Sequence, residues 1–244
     1  MRSLSADKII KCWEIGQVQH PLDRALTLLR FAFPDKSAVE LASLSIGQRD
    51  GYLLSLREIT FGPKLNSFAE CPNCRERLEF TMNVGDMRLV DPFESKQQEY
   101  QTTVNGYRLQ FRLPNSWDLA TIVNYTDETT ASKFLGKRCL LEASYDGMRV
   151  AYEDLPRSVV TQLAEQIAEC DPQGEMLLNL NCPACGHGWQ VLFDIVSFFW
   201  IELSAQAKRL LRQVHRLARF YGWREADILS MSTVRRQFYL DLID

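Results

Sequence analysis

An α+β fold is expected from three features of this sequence. The first sixty residues carry apolar side chains at helical spacing, two Cys-Pro-x-Cys knuckles are each followed by strand-like alternation, and a long, almost heptad-like apolar stripe runs near the C-terminal end. The knuckles, Cys71-Pro72-Asn73-Cys74 and Cys182-Pro183-Ala184-Cys185, say most, because two such pairs can together supply the four thiolates of a tetrahedral zinc site. A closed four-thiolate shell leaves the metal no open position for water or substrate, so the zinc they predict is structural rather than catalytic.

The helical opening comes first. Leu22, Leu26, Leu29 and Phe33 fall on one face after Pro21 at a first-turn position, and Pro34 ends the element. Ser45 with Gln48 three residues on predicts a capping box, the stripe Tyr52, Leu53, Leu56, Ile59 continues that helix, and Gly62-Pro63 stops it. After Cys74, Leu78, Phe80 and Met82 alternate with polar residues as in a strand. Tyr100, Thr102 and Val104 face Tyr107, Leu109 and Phe111 across Asn105-Gly106, a strong hairpin signal, and Asp146-Gly147 predicts a second hairpin.

Between the hairpins, Ser116 can cap a helix reaching Val123, and Pro156 to Cys170 carries Val159, Val160, Leu163 and Ile167 at helical spacing. A strand from Met176 to Leu180 leads to the second knuckle, and Trp189, Val191 and Phe193 leave it as another. The long helix spans roughly Val196 to Tyr221, with Phe199, Leu203, Ala207, Leu210, Val214, Leu217 and Tyr221 on one stripe, and two short helices follow Gly222. The expected division is a helical module at 1–63, one half of a split zinc ribbon at 64–90, an α+β insertion at 91–181, the second half at 182–196 and a helical region at 197–244. Loop-closure entropy grows only logarithmically with length, so a ribbon tolerates such an insertion.

Composition narrows the function. The chain has 244 residues, 46% of them hydrophobic, and a net charge of -3, values that suit an ordinary globular protein and give no global attraction to nucleic acid or anionic membranes. Its most apolar run, Ile195 to Leu203, is short and broken by Glu202, and Met1-Arg2-Ser3-Leu4-Ser5 lacks an apolar leader, so a soluble cytoplasmic protein without membrane insertion is expected. Cys12, Cys139 and Cys170, scattered outside the knuckles, fit reduced thiols.

The metal set Cys71, Cys74, Cys182 and Cys185 stands against two other readings, unrelated buried thiols and a redox dithiol. A redox dithiol wants its motif between a strand and a helix, whereas strand-like alternation follows Cys74 and Cys185. His187, two residues after Cys185, could replace one thiolate or be a solvated turn residue. No catalytic constellation and no phosphate-cradling glycine loop is visible, so no enzyme is expected. The long helix carries Lys208, Arg209, Arg212, Arg216 and Arg219 with no acidic residue from Glu202 to Glu225. That run is either a solvated face complementing the helix dipole, a docking surface together with Trp223, or a site for nucleic acid. The cluster Phe198, Phe199, Trp200 reads as core.

Taken in order, the residues resemble baseplate assembly and hub proteins of contractile phage tails and of related phage-tail-like injection particles, over nearly the whole chain. The marks are Arg24-Ala25-Leu26, Gly47-Gln48-Arg49-Asp50, Leu56-Arg57-Glu58 with Phe61-Gly62-Pro63, the first knuckle with Leu78-Glu79-Phe80, and Leu113-Pro114. They continue with the second knuckle plus Gly186 and Trp189, Phe193-Asp194-Ile195, and Gly222-Trp223-x-Glu225-x-Asp227-Ile228-Leu229 ahead of Arg235-Arg236. The resemblance implies a non-enzymatic part in building the baseplate or hub of a contractile injection system, as a minor structural subunit or an assembly chaperone, with other baseplate proteins as partners. One departure is Arg75, where a glycine would follow the second cysteine. The competing class is a zinc-ribbon protein that binds nucleic acid or regulates.

Overall fold

A computed structural model describes residues 1–91, 93 and 97–243. Positions 92 and 94–96 of the expected insertion and Asp244 of the expected C-terminal region lie outside the described residues. Helix accounts for 54% and strand for 18%, with the strands in three separate antiparallel sheets, which makes the fold α+β as expected.

Polar caps set the N-terminal helices. Ser5 opens α1 (Ala6–Gly16), His20 with Pro21 opens α2 (Pro21–Ala32), and Ser37 with Glu40 forms a capping box on α3 (Ala38–Ala42). The Ser45/Gln48 box is present on α4 (Ile46–Phe61), which ends at Gly62. The buried face of α2 is Ala25, Leu28, Leu29 and Ala32; of the expected stripe Leu29 and Phe33 are buried in the core and Leu26 packs against it half-buried. Nearly all of α4 from Ile46 to Arg57 is buried, so it is a central helix, and Ile59 of its expected stripe is exposed.

Strands β1 (Lys64–Glu70) and β2 (Arg77–Asn83) form a hairpin around the first knuckle, and the short α5 (Val84–Met87) follows. The insertion is a sheet of β3 (Tyr100–Val104), β4 (Tyr107–Phe111), β5 (Leu140–Tyr145) and β6 (Met148–Arg149) in that spatial order. Its Asn105-Gly106 turn has φ of 50° and 84°, and Asp146-Gly147 has 47° and 80°, the paired positive values of a type I′ hairpin. Between β4 and β5 lie α6 (Ser116–Ile122) and α7 (Glu128–Cys139). The cap of α6 is Asn115, in a box with Asp118, and not Ser116, because Asn115 holds the extended backbone and accepts from the Asp118 N–H. Helix α8 (Arg157–Cys170) packs Val159 and Leu163 onto the sheet with Val104, Leu109 and Phe111 as a second core.

Strands β7 (Leu177–Asn181) and β8 (Gly188–Leu192) carry the second knuckle. Asp194 then caps α9 (Ile195–Tyr221), whose stripe from Phe199 to Leu217 is buried against α1, α2 and α4. Trp200 packs on this core and Phe199 lies within it, as expected for that aromatic cluster. Helices α10 (Glu225–Ser230) and α11 (Thr233–Asp241) close the main core through Ile228, Leu229 and Leu240. Among the described residues no helix is long and apolar enough to cross a membrane.

Candidate functional site

The two knuckles repeat one local geometry. In the first, the Arg75 N–H donates to the Cys71 carbonyl and the Cys71 N–H to the Glu76 carbonyl, both at 2.9 Å. In the second, the Gly186 N–H donates to the Cys182 carbonyl and the Cys182 N–H to the His187 carbonyl, again at 2.9 Å. Both turns place a left-handed residue after the second cysteine, and Arg75 at φ 63° stands where Gly186 has φ 71°. The arginine thus keeps the turn and removes no ligand, at a conformational cost of about 1–2 kcal/mol.

The register of β1 with β2 and of β7 with β8 sets the turns at the hairpin tips, and the tips meet. All four Sγ atoms of Cys71, Cys74, Cys182 and Cys185 lie within 4.8 Å of one another, a set that could hold a metal ion. Cys71 Sγ is 3.7 Å from Cys185 Sγ, and Cys74 Sγ is 3.5 Å from Cys182 Sγ, so the short contacts cross from one knuckle to the other. Each hairpin contributes one buried and one exposed thiol, and all are free rather than disulfide-bonded. His187 lies outside this group and is exposed, its ring parallel to Trp189 with centroids 6.1 Å apart.

Charge within the cluster is uneven. The Asn73 side-chain amide and the His187 backbone N–H donate to Cys185 and draw its thiol down to about 6. Cys74 accepts from the Glu76 N–H, but its own proton is shared toward Cys185, Cys182 and Cys71, and it is pushed up to about 12. Burial pushes the remote Cys12 and Cys139 up to about 12, which keeps them protonated and inert.

A family described as T4 bacteriophage base plate protein matches residues 26–200. The chain belongs to that family. No curated protein and no solved structure matches the chain. The base plate match runs from α2 into α9 and takes in both knuckles and the whole insertion.

Two of the quoted residue marks, at Gly47 inside the base plate match and at Arg24 just before it, are pins between different elements. Gly47 has no room for a Cβ, because the Asp171 carboxylate accepts its N–H at 2.7 Å and the Ser45 hydroxyl at 3.1 Å, tying the insertion to the start of α4. The Ile46 N–H reaches the Pro114 carbonyl at 3.1 Å on the same side. Arg49 pairs with Asp50 at 2.7 Å, and burial raises the Asp50 carboxyl against the Arg49 charge. Arg24 donates to the Gly16 carbonyl at 2.9 Å and lies over the Trp200 ring. Sequence reasoning did not find the buried acids Asp118 and Asp171, since their partners lie in other elements; only the quoted Gly47-Gln48-Arg49-Asp50 hinted at a tight site.

The cationic run lies beyond the matched residues. Lys208, Arg209, Arg212, Arg216 and Arg219 are all exposed on α9. Trp223 is half-buried instead, stacked on Tyr221 at 4.4 Å and edge-on to Tyr239 at 4.8 Å, so it fastens the turn from α9 to α11.

Proposed function

We propose that this base plate family member is a non-enzymatic structural subunit or assembly chaperone of a contractile phage-tail-like baseplate or its hub, stapled by one structural zinc on Cys71, Cys74, Cys182 and Cys185. The observation that carries the reading is the closure of four sulfurs from two distant hairpins into one cluster. Zinc–sulfur arms of about 2.3 Å in a tetrahedron put neighbouring sulfurs about 3.8 Å apart. The observed 3.7 and 3.5 Å are close to that edge, and the N–H donors to Cys185 suit a metal-bound thiolate. Four thiolates complete the shell, so the ion would join the two hairpins of a split zinc ribbon and activate nothing. Both knuckles lead into strands, β2 and β8, and neither has the helix N-terminus that activates redox thiols.

The same reading makes 1–63, 64–90, 91–181, 182–196 and 197–244 its functional segments. The exposed cations of α9, with Trp223 bracing the adjacent turn, are its docking face for other baseplate proteins after cytoplasmic synthesis. Those cations also favour a second reading, nucleic-acid binding, which predicts salt-dependent affinity for generic DNA or RNA.

Metal analysis of the purified chain tests the staple, with about one zinc per chain expected. The double variant Cys71→Ser, Cys182→Ser is expected to lose the metal together with cooperative melting. Metal-free protein with an unchanged melting curve would sink the zinc reading. Purified particles decide the role: a chain retained in the finished particle is a subunit, and one lost from it is a chaperone.

A further inference from the structure

Two apolar surfaces stand open among the described residues. The first is a groove of about 840 Å³ where the insertion meets the main body, lined by Leu135 of α7, Ile167 of α8, Leu89 and Leu177. Ala164 and Ala168, exposed and one turn apart on α8, leave its mouth wide. Its described lining holds the carboxylates Asp86, Glu169, Asp171 and Glu175 and no lysine, arginine or histidine. Asp171 is engaged by Ser45 and Gly47, while Asp86, Glu169 and Glu175 are exposed at the rim, Asp86 accepting from the Asn83 amide at 3.2 Å and Glu169 from the Gln166 amide at 2.6 Å.

The second surface is on α11. Val234, Phe238 and Leu242 recur every four residues on one side of the helix and are 81%, 61% and 62% exposed, while Arg236 and Leu240 on the other side are buried. Two large apolar side chains on this short helix, continued by Leu242 at its C-cap, form a stripe of the kind that enters a groove. Arg235 is exposed beside it, and α11 packs on α9. The α11 carboxylate, Asp241, is already held by the Gln237 amide at 2.7 Å.

The stripe and the groove complement each other in polarity and in charge, yet they do not meet within one molecule. Helix α11 is fastened by Arg236 to Gln213 on α9, whereas the β7 wall of the groove leads through β8 to the start of α9 at Ile195. At about 1.5 Å per residue those two points are about 27 Å apart along the helix.

We infer that α11 of one copy docks in the groove of a second copy, so that the chain self-associates head to tail. Such a contact joins two different surfaces, and it builds a ring or an open chain rather than a closed two-fold dimer. The stripe supplies the apolar fill, and the exposed Arg235 beside it meets the acidic rim, which sets orientation and favours encounter.

Sedimentation of the full chain over a concentration series tests this. The mean mass is expected to rise with concentration, and raising salt is expected to weaken the association. Phe238→Asp and, separately, Ala164→Trp should each weaken it about tenfold or more while the melting curve is unchanged, because both positions are exposed. Mixing the two variants is decisive. One retains an intact groove and the other an intact stripe, so the mixture should form pairs that do not grow. A chain that stays monomeric at every concentration, or an association that survives either substitution, overturns the inference.

Discussion

Arg57 on α4 and Glu202 on α9 are joined by two hydrogen bonds, of 2.8 and 2.6 Å, with the guanidinium buried and the carboxylate partly open to water. The third guanidinium bond goes to the Gly62 carbonyl at 2.5 Å, so one side chain locks the central helix, the long helix and the turn before β1. Glu202→Gln strands a buried cation and is expected to lower the unfolding free energy by about 2 kcal/mol, below the full loss for a buried pair because Glu202 is partly solvated. The double change Arg57→Met, Glu202→Leu should recover most of that loss. Urea unfolding of both proteins measures it, and equal losses in the two would show that the charge pair is not what holds the helices.

A pH dependence follows from Asp118. It is fully buried and accepts from Arg112 at 2.6 and 3.0 Å, from Arg138 at 2.8 Å and from the Asn115 N–H at 3.0 Å. Burial works to raise its carboxyl, but the bonds from Arg112 and Arg138 overcome this and hold it below the usual range. The unfolded value is about 3.9, so the stabilisation is complete above that pH and is lost as pH falls through the lower folded value. Thermal melts over an acid series should show this loss, and Asp118→Asn should be less stable at neutral pH with a flatter acid limb. An acid limb unchanged by the substitution would refute the assignment.

At the first knuckle, Arg75→Gly is expected to raise stability by about 1 kcal/mol, since the left-handed backbone at φ 63° strains any residue with a Cβ. Gly186→Arg should lower it by a similar amount. Urea midpoints at saturating metal report both, and a destabilised Arg75→Gly would mean that the arginine side chain itself supports the turn.

Reversing charge at Arg209, Arg212 and Arg216 should leave the fold and metal content intact, because exposed charges contribute little stability. It should weaken co-purification with baseplate proteins and reduce the yield of complete particles. Normal particles from a variant that has lost nucleic-acid affinity would transfer the face to the second reading.

What could be read in advance was local. The Ser45/Gln48 box, the Asn105-Gly106 and Asp146-Gly147 turns and the α9 stripe each need only a few neighbouring residues, and each forms where expected. The cysteine spacing likewise announced a cluster, although not that its short contacts cross between knuckles. Separate helices α1 and α3 and strand β1 were not distinguished, and α7 was missed because only Cys139 of its twelve residues is buried, so no apolar periodicity marks it. Asp171 on Gly47 and Arg57 on Glu202 link positions 124 and 145 apart, and nothing in a local window couples such residues.

The split of the cysteine cluster also dictates an order of events during synthesis. Cys182 emerges 108 positions after its neighbour Cys74, an interval of roughly 5–20 s at ordinary ribosomal speeds. For that time the first pair of thiols waits half-assembled while the intervening sheet and helices are made. The cluster can close only after that excursion has been made and has brought Cys182 back to Cys74, so a closed cluster reports that the whole middle of the chain has been synthesised.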